Sequence, residues 1–283
     1  MKNPPLLTLT LLSFLLLATG CVSAPPGHAP SATTPVPPLE KPHYVIGIDA
    51  DYPPFTYRDS TGNLTGIDIE AARWIAARKG FEVEFVAVPW NQILDALVER
   101  RIDMVYSGMT ITPERHEKVA FTVPYFTVTK SVAVRSDSHF TMDDLSAGRL
   151  RVGAQAGSTA EEWVEMHLVH PGIMPAGQVF LFPDVPSLTA ALVNGSIDAS
   201  VSDTPVQQEA IAGKPLVILG EIPSSDMYAI AVRKADSHLL TMMDGGLREL
   251  MADPYWQVLL KRYGLHPPLQ RSVQESVLVR LQG

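Results

Sequence analysis

Short apolar runs separated by turn residues dominate the chain from residue 44 onward. Tyr44-Val-Ile-Gly-Ile48 is such a run, and it ends in Asp49 and a proline–aromatic loop, Tyr52-Pro-Pro-Phe55. Its length and apolar character predict a strand. Residues 59–62 read as a turn. Residues 68–79 read as a helix closed by Gly80, because a glycine just past the last helical residue can take the left-handed cap. Residues 82–88 alternate and are rich in valine, which predicts a strand. Asn91 is placed to cap a helix running to Arg100, with Ile93, Leu94, Leu97 and Val98 as its apolar face. Residues 102–106 predict a buried strand. Strands alternating with helices imply an α/β protein with helices on the faces of largely parallel sheets.

The pattern repeats. Ala96-Leu-Val98, Ile102-Asp103 and Ser107 recur as Ala191-Leu-Val193, Ile197-Asp198 and Ser202, at a constant offset of 95 positions. Val45-Ile-Gly47 has a looser echo in Arg151-Val-Gly153. Two βαβ units can look alike by chance of composition. The alternative is two lobes of similar build, each with a helix, a strand and a serine-bearing loop at the strand's carboxyl end. Open α/β sheets place ligands at those ends, so two such lobes predict a binding cleft.

The N-terminal 42 residues differ in kind. Lys2 precedes an apolar run, residues 6–18, that is short for a membrane span and typical of a signal peptide, here assigned to residues 1–20. It ends Leu17-Ala-Thr-Gly-Cys21, which resembles a lipobox in which Cys21 is acylated. The third position before the cysteine is Ala18 rather than the more usual leucine, and ordinary secretion with a free thiol is the other reading. Cys21 is the chain's one cysteine, so neither a disulfide framework nor a cysteine-rich metal site is available. Residues 21–42 read as a disordered tether: seven prolines fall within residues 22–42, with almost no large apolar side chain. A formal net charge of −8 argues against nucleic acid as a partner.

Candidate chemistry concentrates in loops. In Ser107-Gly-Met-Thr110-Ile-Thr112-Pro113-Glu-Arg115, Thr112 can cap a helix and Pro113 can start it. Arg115 then lies in the first turn, where a cation is unfavourable for the helix dipole unless an anion arrives. A guanidinium suits a carboxylate bidentately; alternatively Arg115 pairs with Glu114 or Glu117 at the surface. Ser158 with Glu161 fits a capping box behind Gly157, either as an anion site or as simple capping. Asp203, with Thr204 as a possible cap and Pro205 as a helix start, is a carboxylate at a strand end, open to an ammonium or to a turn role. Asp49, Tyr52 and Trp90 add an acid and two aromatic faces, although Trp90 could equally be core and Phe55 is expected to be. The eight histidines show no ligand spacing, no nucleophile elbow or phosphate loop is evident, and neither a metal nor a cofactor is expected.

Taken together, Asp49-Ala-Asp-Tyr-Pro-Pro-Phe55, Gly66-Ile-Asp68, the stretch from Ile102 to Arg115, Phe121-Thr-Val-Pro-Tyr125 and Val152-Gly-Ala-Gln-Ala-Gly-Ser-Thr159 resemble the solute-binding proteins, family 3, of polar amino acid ABC transporters. The resemblance covers residues 43–265. It implies a two-lobed, periplasmic-binding-protein type II (Venus flytrap) fold with two crossovers, near residues 127–134 and 227–232. Lobe 1 would take residues 43–126 and 233–265, lobe 2 residues 127–232, and residues 266–283 a C-terminal tail. It further implies that Arg115 and the Thr110 loop grip an α-carboxylate, with Ser158 and Thr159 closing from the other lobe. Asp203 would take the α-ammonium with Ser107 or the Gly108 carbonyl, Tyr52 and Trp90 would sandwich the side chain, and Asp49 and Gln155 would complete the site. Ala160 departs from relatives with a polar residue there, and Ile67 stands where phenylalanine is commoner. The expected protein is a monomeric, lipid-anchored, extracytoplasmic binding protein that delivers a polar or basic amino acid to an ABC transporter permease and is not an enzyme. Two alternatives are a cyclohexadienyl or arogenate dehydratase on the same fold and a ligand-sensing module for a signalling partner.

Overall fold

The computed structural model describes residues 41–266. The proposed signal peptide, Cys21, nearly all of the proline-rich stretch and the tail beyond His266 lie outside the described residues. From the N-terminal side the chain forms β1 (His43–Ile48), β2 (Asp51–Tyr52), β3 (Thr56–Arg58), β4 (Leu64–Thr65), α1 (Ile67–Lys79), β5 (Glu82–Ala87), α2 (Ile93–Val98), β6 (Met104–Val105), α3 (Pro113–Lys118) and β7 (Val119–Phe121). There follow β8 (Phe126–Arg135), α4 (Met142–Ser146), β9 (Val152–Gln155), α5 (Thr159–Val164), β10 (Val179–Phe182), α6 (Val185–Val193), β11 (Ala199–Asp203) and α7 (Thr204–Ile211). The chain closes with β12 (Leu216–Tyr228), β13 (Ala231–Arg233), α8 (Ser237–Ala252) and α9 (Pro254–Arg262).

Two five-stranded mixed sheets result, ordered β5-β1-β6-β13-β7 and β10-β9-β11-β8-β12. They are built alike. In each, the first strand pairs in parallel with both its neighbours, and the strand carrying the repeated Ile-Asp motif or following it lies at the centre, with an antiparallel strand on its far side. The repeat is structural down to single bonds. Asp103 accepts from the Val45 N–H and gives its own N–H to the Val45 carbonyl; Asp198 does the same with Arg151. Each aspartate also pairs with an arginine, Arg233 and Arg135 respectively. The two-lobed α/β architecture is therefore what the repeated pattern encodes.

Alternation along the strands fills both faces of each sheet. Ile46, Ile48, Met104 and Val232 join one core with α1, α8 and α9, while Val105 and Ala231 join Ile93, Ala96 and Leu97 on the other face. In the second sheet Val132 and Val134 face one cluster and Ala133 the other. Close packing demands glycine where each first strand meets the residue leading into the central strand: a Cβ on Gly47 would lie 2.3 Å from Ile102 Cδ1, and one on Gly153 2.5 Å from Ile197 Cδ1. Between the sheets, segments 122–128 and 226–231 run side by side. The Thr122 N–H donates to the Ile230 carbonyl, the Tyr125 N–H donates to the Tyr228 carbonyl, and Phe126 pairs with Tyr228 in register.

Local expectations meet two corrections. Asn91 does not cap a helix; it lies within a 3₁₀ turn, Trp90–Gln92, and α2 spans only Ile93–Val98. Val98 is exposed, and Ala96 takes its place on the buried face, because α2 rotates to lay Ile93, Ala96 and Leu97 on the sheet. The glycine stop after α1 does form, with Gly80 in the left-handed conformation.

Candidate functional site

Thr112 caps α3 by accepting from the Arg115 N–H at 3.2 Å, with Pro113 in the first turn. This aims Arg115 inward. Its guanidinium donates to the Thr110 carbonyl and, across the cleft, to the Gly157 carbonyl, both at 3.0 Å. It lies 5.6 Å from the Trp90 ring. Arg115 is 6% exposed, and among the described residues no carboxylate reaches it within ion-pair distance; Glu114 and Glu117 do not pair with it. Burial pulls the guanidinium below its ordinary pKa, opposed by the charges of Glu162 and Asp203.

Asp203 ends β11 at the N-cap position of α7, yet its carboxylate caps nothing. The tyrosine hydroxyls claim it instead: Tyr52 donates to Oδ2 at 2.6 Å, and Tyr228 donates to the same oxygen. Oδ1 is buried without a hydrogen bond among the described residues. Burial, and then the Asp203 charge, hold both phenols well above their ordinary pKa. Thr204, expected as a possible cap, opens α7 and pairs its hydroxyl with Thr129 at 2.9 Å.

From the second lobe, Ser158 caps α5, accepting from the Glu161 N–H at 3.2 Å. The capping box is not completed: Glu161 reaches back to the Gly157 N–H at 2.6 Å rather than to Ser158. Gly157 needs its positive φ of 76°, and a Cβ there would also sit 3.1 Å from Asn91 Cα in the opposite lobe. Its carbonyl accepts from Trp90 Nε1 as well as from Arg115. Gln155 donates to Asp49 Oδ2 at 2.6 Å, a further bond across the cleft. Burial raises the Asp49 carboxyl above the ordinary range, and the Gln155 bond opposes this.

The structure thus gathers Tyr52, Gln155, Ser158 and Asp203, with Ala160 and Ser202, around one small cavity. Beside it, Trp90, Arg115 and Gly157 line a pocket of about 250 Å³. Tyr52 bridges the two, its ring parallel to Trp90 within 4° at a centroid distance of 6.3 Å. Thr159, half-buried, is the first residue of α5. Thr110 is buried and bridges to Tyr228. Ser107 sits deeper than expected. Its hydroxyl is fully buried, held between the Asp49 N–H at 3.0 Å and Thr56 at 2.6 Å, so it supports the loop instead of facing a ligand. Gly108 adopts φ 58°, and a Cβ there would meet Tyr52 at 2.9 Å.

Sequence reasoning missed four residues. Tyr228 lies on a crossover segment and Lys130 on β8 just past the other, where a pattern of alternation says nothing about which polar group turns inward. Glu162, at the exposed rim of the pocket holding Arg115, looked like an ordinary helix acid; loss of hydration raises its carboxyl, opposed by Arg115. Asp68 was visible as part of a motif but not as a buried carboxyl. Its Oδ2 accepts from the Gly108 N–H at 2.8 Å and from Tyr125 at 2.7 Å, and burial raises it to about 7.

Two α/β lobes joined by paired crossovers, with charged groups and aromatic rings converging between them, define a protein built to capture a small solute. The sequence matches the bacterial extracellular solute-binding proteins, family 3, over residues 44–266, and the chain belongs to that family. It is 28% identical over 224 residues to a probable histidine-binding protein of Neisseria gonorrhoeae, covering 78% of this chain and 82% of the relative. Among solved structures it resembles an ancestral arginine-binding protein bound to arginine, with a TM-score of 0.71, 33% identity and coverage of 79% of this chain and 98% of the other. It also resembles an ancestral amino acid-binding protein described as a precursor of cyclohexadienyl dehydratase, with a TM-score of 0.68, 32% identity and coverage of 78% and 94%. Among the described residues no helix is long and apolar enough to cross a membrane.

Proposed function

We propose that this protein binds a basic α-amino acid of the arginine and histidine class between its lobes and delivers it to an ABC transporter permease, as a monomer tethered outside the cytoplasm through acylated Cys21. The observation that carries the reading is Arg115, a buried cation without an ion-pair partner among the described residues. Such a group is costly unless an anion completes it, and an α-carboxylate matches its planar fork. Asp203 supplies the complementary charge for an α-ammonium, with one oxygen that accepts no hydrogen bond among the described residues and has the Lys130 ammonium 3.8 Å away. Ser158 and Thr159 act on the carboxylate from the second lobe, and Gly108 offers its carbonyl to the ammonium. The parallel Tyr52 and Trp90 rings suit a planar cationic side chain, and Asp49, released from Gln155, suits its charge. Histidine- and arginine-binding proteins among the relatives support the same class.

The test is a thermal-shift screen of the twenty amino acids with ornithine and citrulline, followed by calorimetry. Arginine or histidine should give the largest shifts; a response confined to acidic amino acids overturns the assignment of Asp49. Cys21→Ser should move the protein from the membrane fraction to the soluble one. A second reading, a dehydratase, gains support from one observation, Glu162 beside Arg115, a candidate proton donor. Turnover of prephenate or arogenate that is lost in Glu162→Gln would establish it in place of simple binding.

A further inference from the structure

Lys130 is 2% exposed and sits on β8 where that strand enters the second sheet. Its register neighbours are Asp203 on β11 and Ile222 on β12. The ammonium lies 3.8 Å from Asp203 Oδ1 and forms an ion pair with Asp226, which belongs to the returning crossover strand β12. Two carboxylates therefore share one lysine, a formal charge of −1. Asp203 Oδ2 is already taken by the Tyr52 and Tyr228 hydroxyls, while Oδ1 has no hydrogen bond among the described residues. Arg115 and Glu162, of opposite sign, also interact with members of this cluster, and the Asp49 carboxylate acts on Tyr52 beside it.

We infer that Lys130 and Asp226 set the charge of the ammonium subsite, holding it one negative charge short of neutrality so that it selects a ligand with one cationic group at that position. The inference rests on the amino-acid reading above and deepens it. A largely buried ionic cluster resists net charge, because bulk water reaches it only at Asp226, whose side chain is 25% exposed, and screens Lys130 and Asp203 little. One arriving ammonium makes the count neutral. A neutral group in its place leaves the excess negative charge unanswered, and discrimination follows from that penalty.

Calorimetry with two probes tests this: L-arginine, and its α-hydroxy analogue argininic acid, which lacks the ammonium. The wild type should prefer arginine by at least ~100-fold, within the penalty for a buried unpaired charge. In Asp226→Asn the lysine neutralises Asp203 alone, and the preference should fall at least tenfold. In the double variant Lys130→Met with Asp226→Asn the formal charge returns to −1, and the preference should recover to within about threefold of wild type, although the double variant removes more of the native contacts. Lys130→Gln in place of Lys130→Met should behave alike, and far-UV circular dichroism checks folding of each. A preference unchanged in Asp226→Asn, or not restored in either double variant, overturns the charge assignment while leaving the amino-acid reading intact. A wild type that binds neither arginine nor any other amino acid overturns both.

Discussion

Arg115 and Asp68 show how much one side chain carries. Arg115→Ala should lower amino-acid affinity by at least ~30-fold, since truncating one partner of a buried charged pair costs about 2–5 kcal/mol; circular dichroism should be unchanged. Arg115→Lys should recover only part of that loss, because an ammonium cannot reproduce the planar fork that holds the Thr110 and Gly157 carbonyls. Asp68 works behind the site. With its carboxyl raised to about 7 by burial, the folded chain keeps a proton that the unfolded chain has released. Stability from this residue is complete below about pH 4 and is lost as pH rises towards 7, at up to about 1.4 kcal/mol per pH unit. Asp68→Asn removes the titration. In urea unfolding its stability relative to wild type should improve steadily from pH 4 to pH 7; a flat difference would contradict the buried-acid account. Neither role is legible from residue type alone, since Arg115 and Asp68 each lie near the start of a helix, where many charged residues are merely solvated.

At the level of elements, the duplicated lock between first strand and central strand makes a paired prediction. Gly47→Ala drives a methyl into Ile102 Cδ1 and should destabilise by ~1–3 kcal/mol. Adding Ile102→Val removes the colliding atom and should restore much of the loss in the same unfolding experiment. Gly153→Ala meets Ile197, Leu188 and Phe182 within 3.0 Å, so Ile197→Val alone should rescue it less. These strands and helices were readable because local composition determines them: apolar runs, alternation and terminal glycines act within a few residues. Asn91 and Val98 misled for the opposite reason. A cap residue and an apolar residue were present, but the rotation of α2 against its sheet decided that a 3₁₀ turn holds one and solvent faces the other.

For the whole molecule, the proposed function makes closure of the lobes the central event. Bonds already span the cleft from Tyr52 to Asp203, Gln155 to Asp49, and Trp90 and Arg115 to Gly157. Ligand that contacts both lobes should favour this closed arrangement. Arginine at 100 times its Kd should raise unfolding free energy by about 2.7 kcal/mol, and small-angle scattering should show the same compact form with ligand; the stabilisation should vanish in Arg115→Ala. The sequence by itself determined the α/β class, the two-lobed repeat and the loops that bear the site, because periodicity and a motif recurring at constant offset are properties of the chain. Only the tertiary structure decided which of those loop residues face the cleft: that Ser107 turns to Thr56, that Arg115 meets no acid among the described residues, and that Tyr228 and Lys130, the latter paired with Asp226, converge on Asp203. Those choices depend on contacts between residues far apart in the chain, set by how the two sheets and their crossovers pack, and no local pattern encodes such distances.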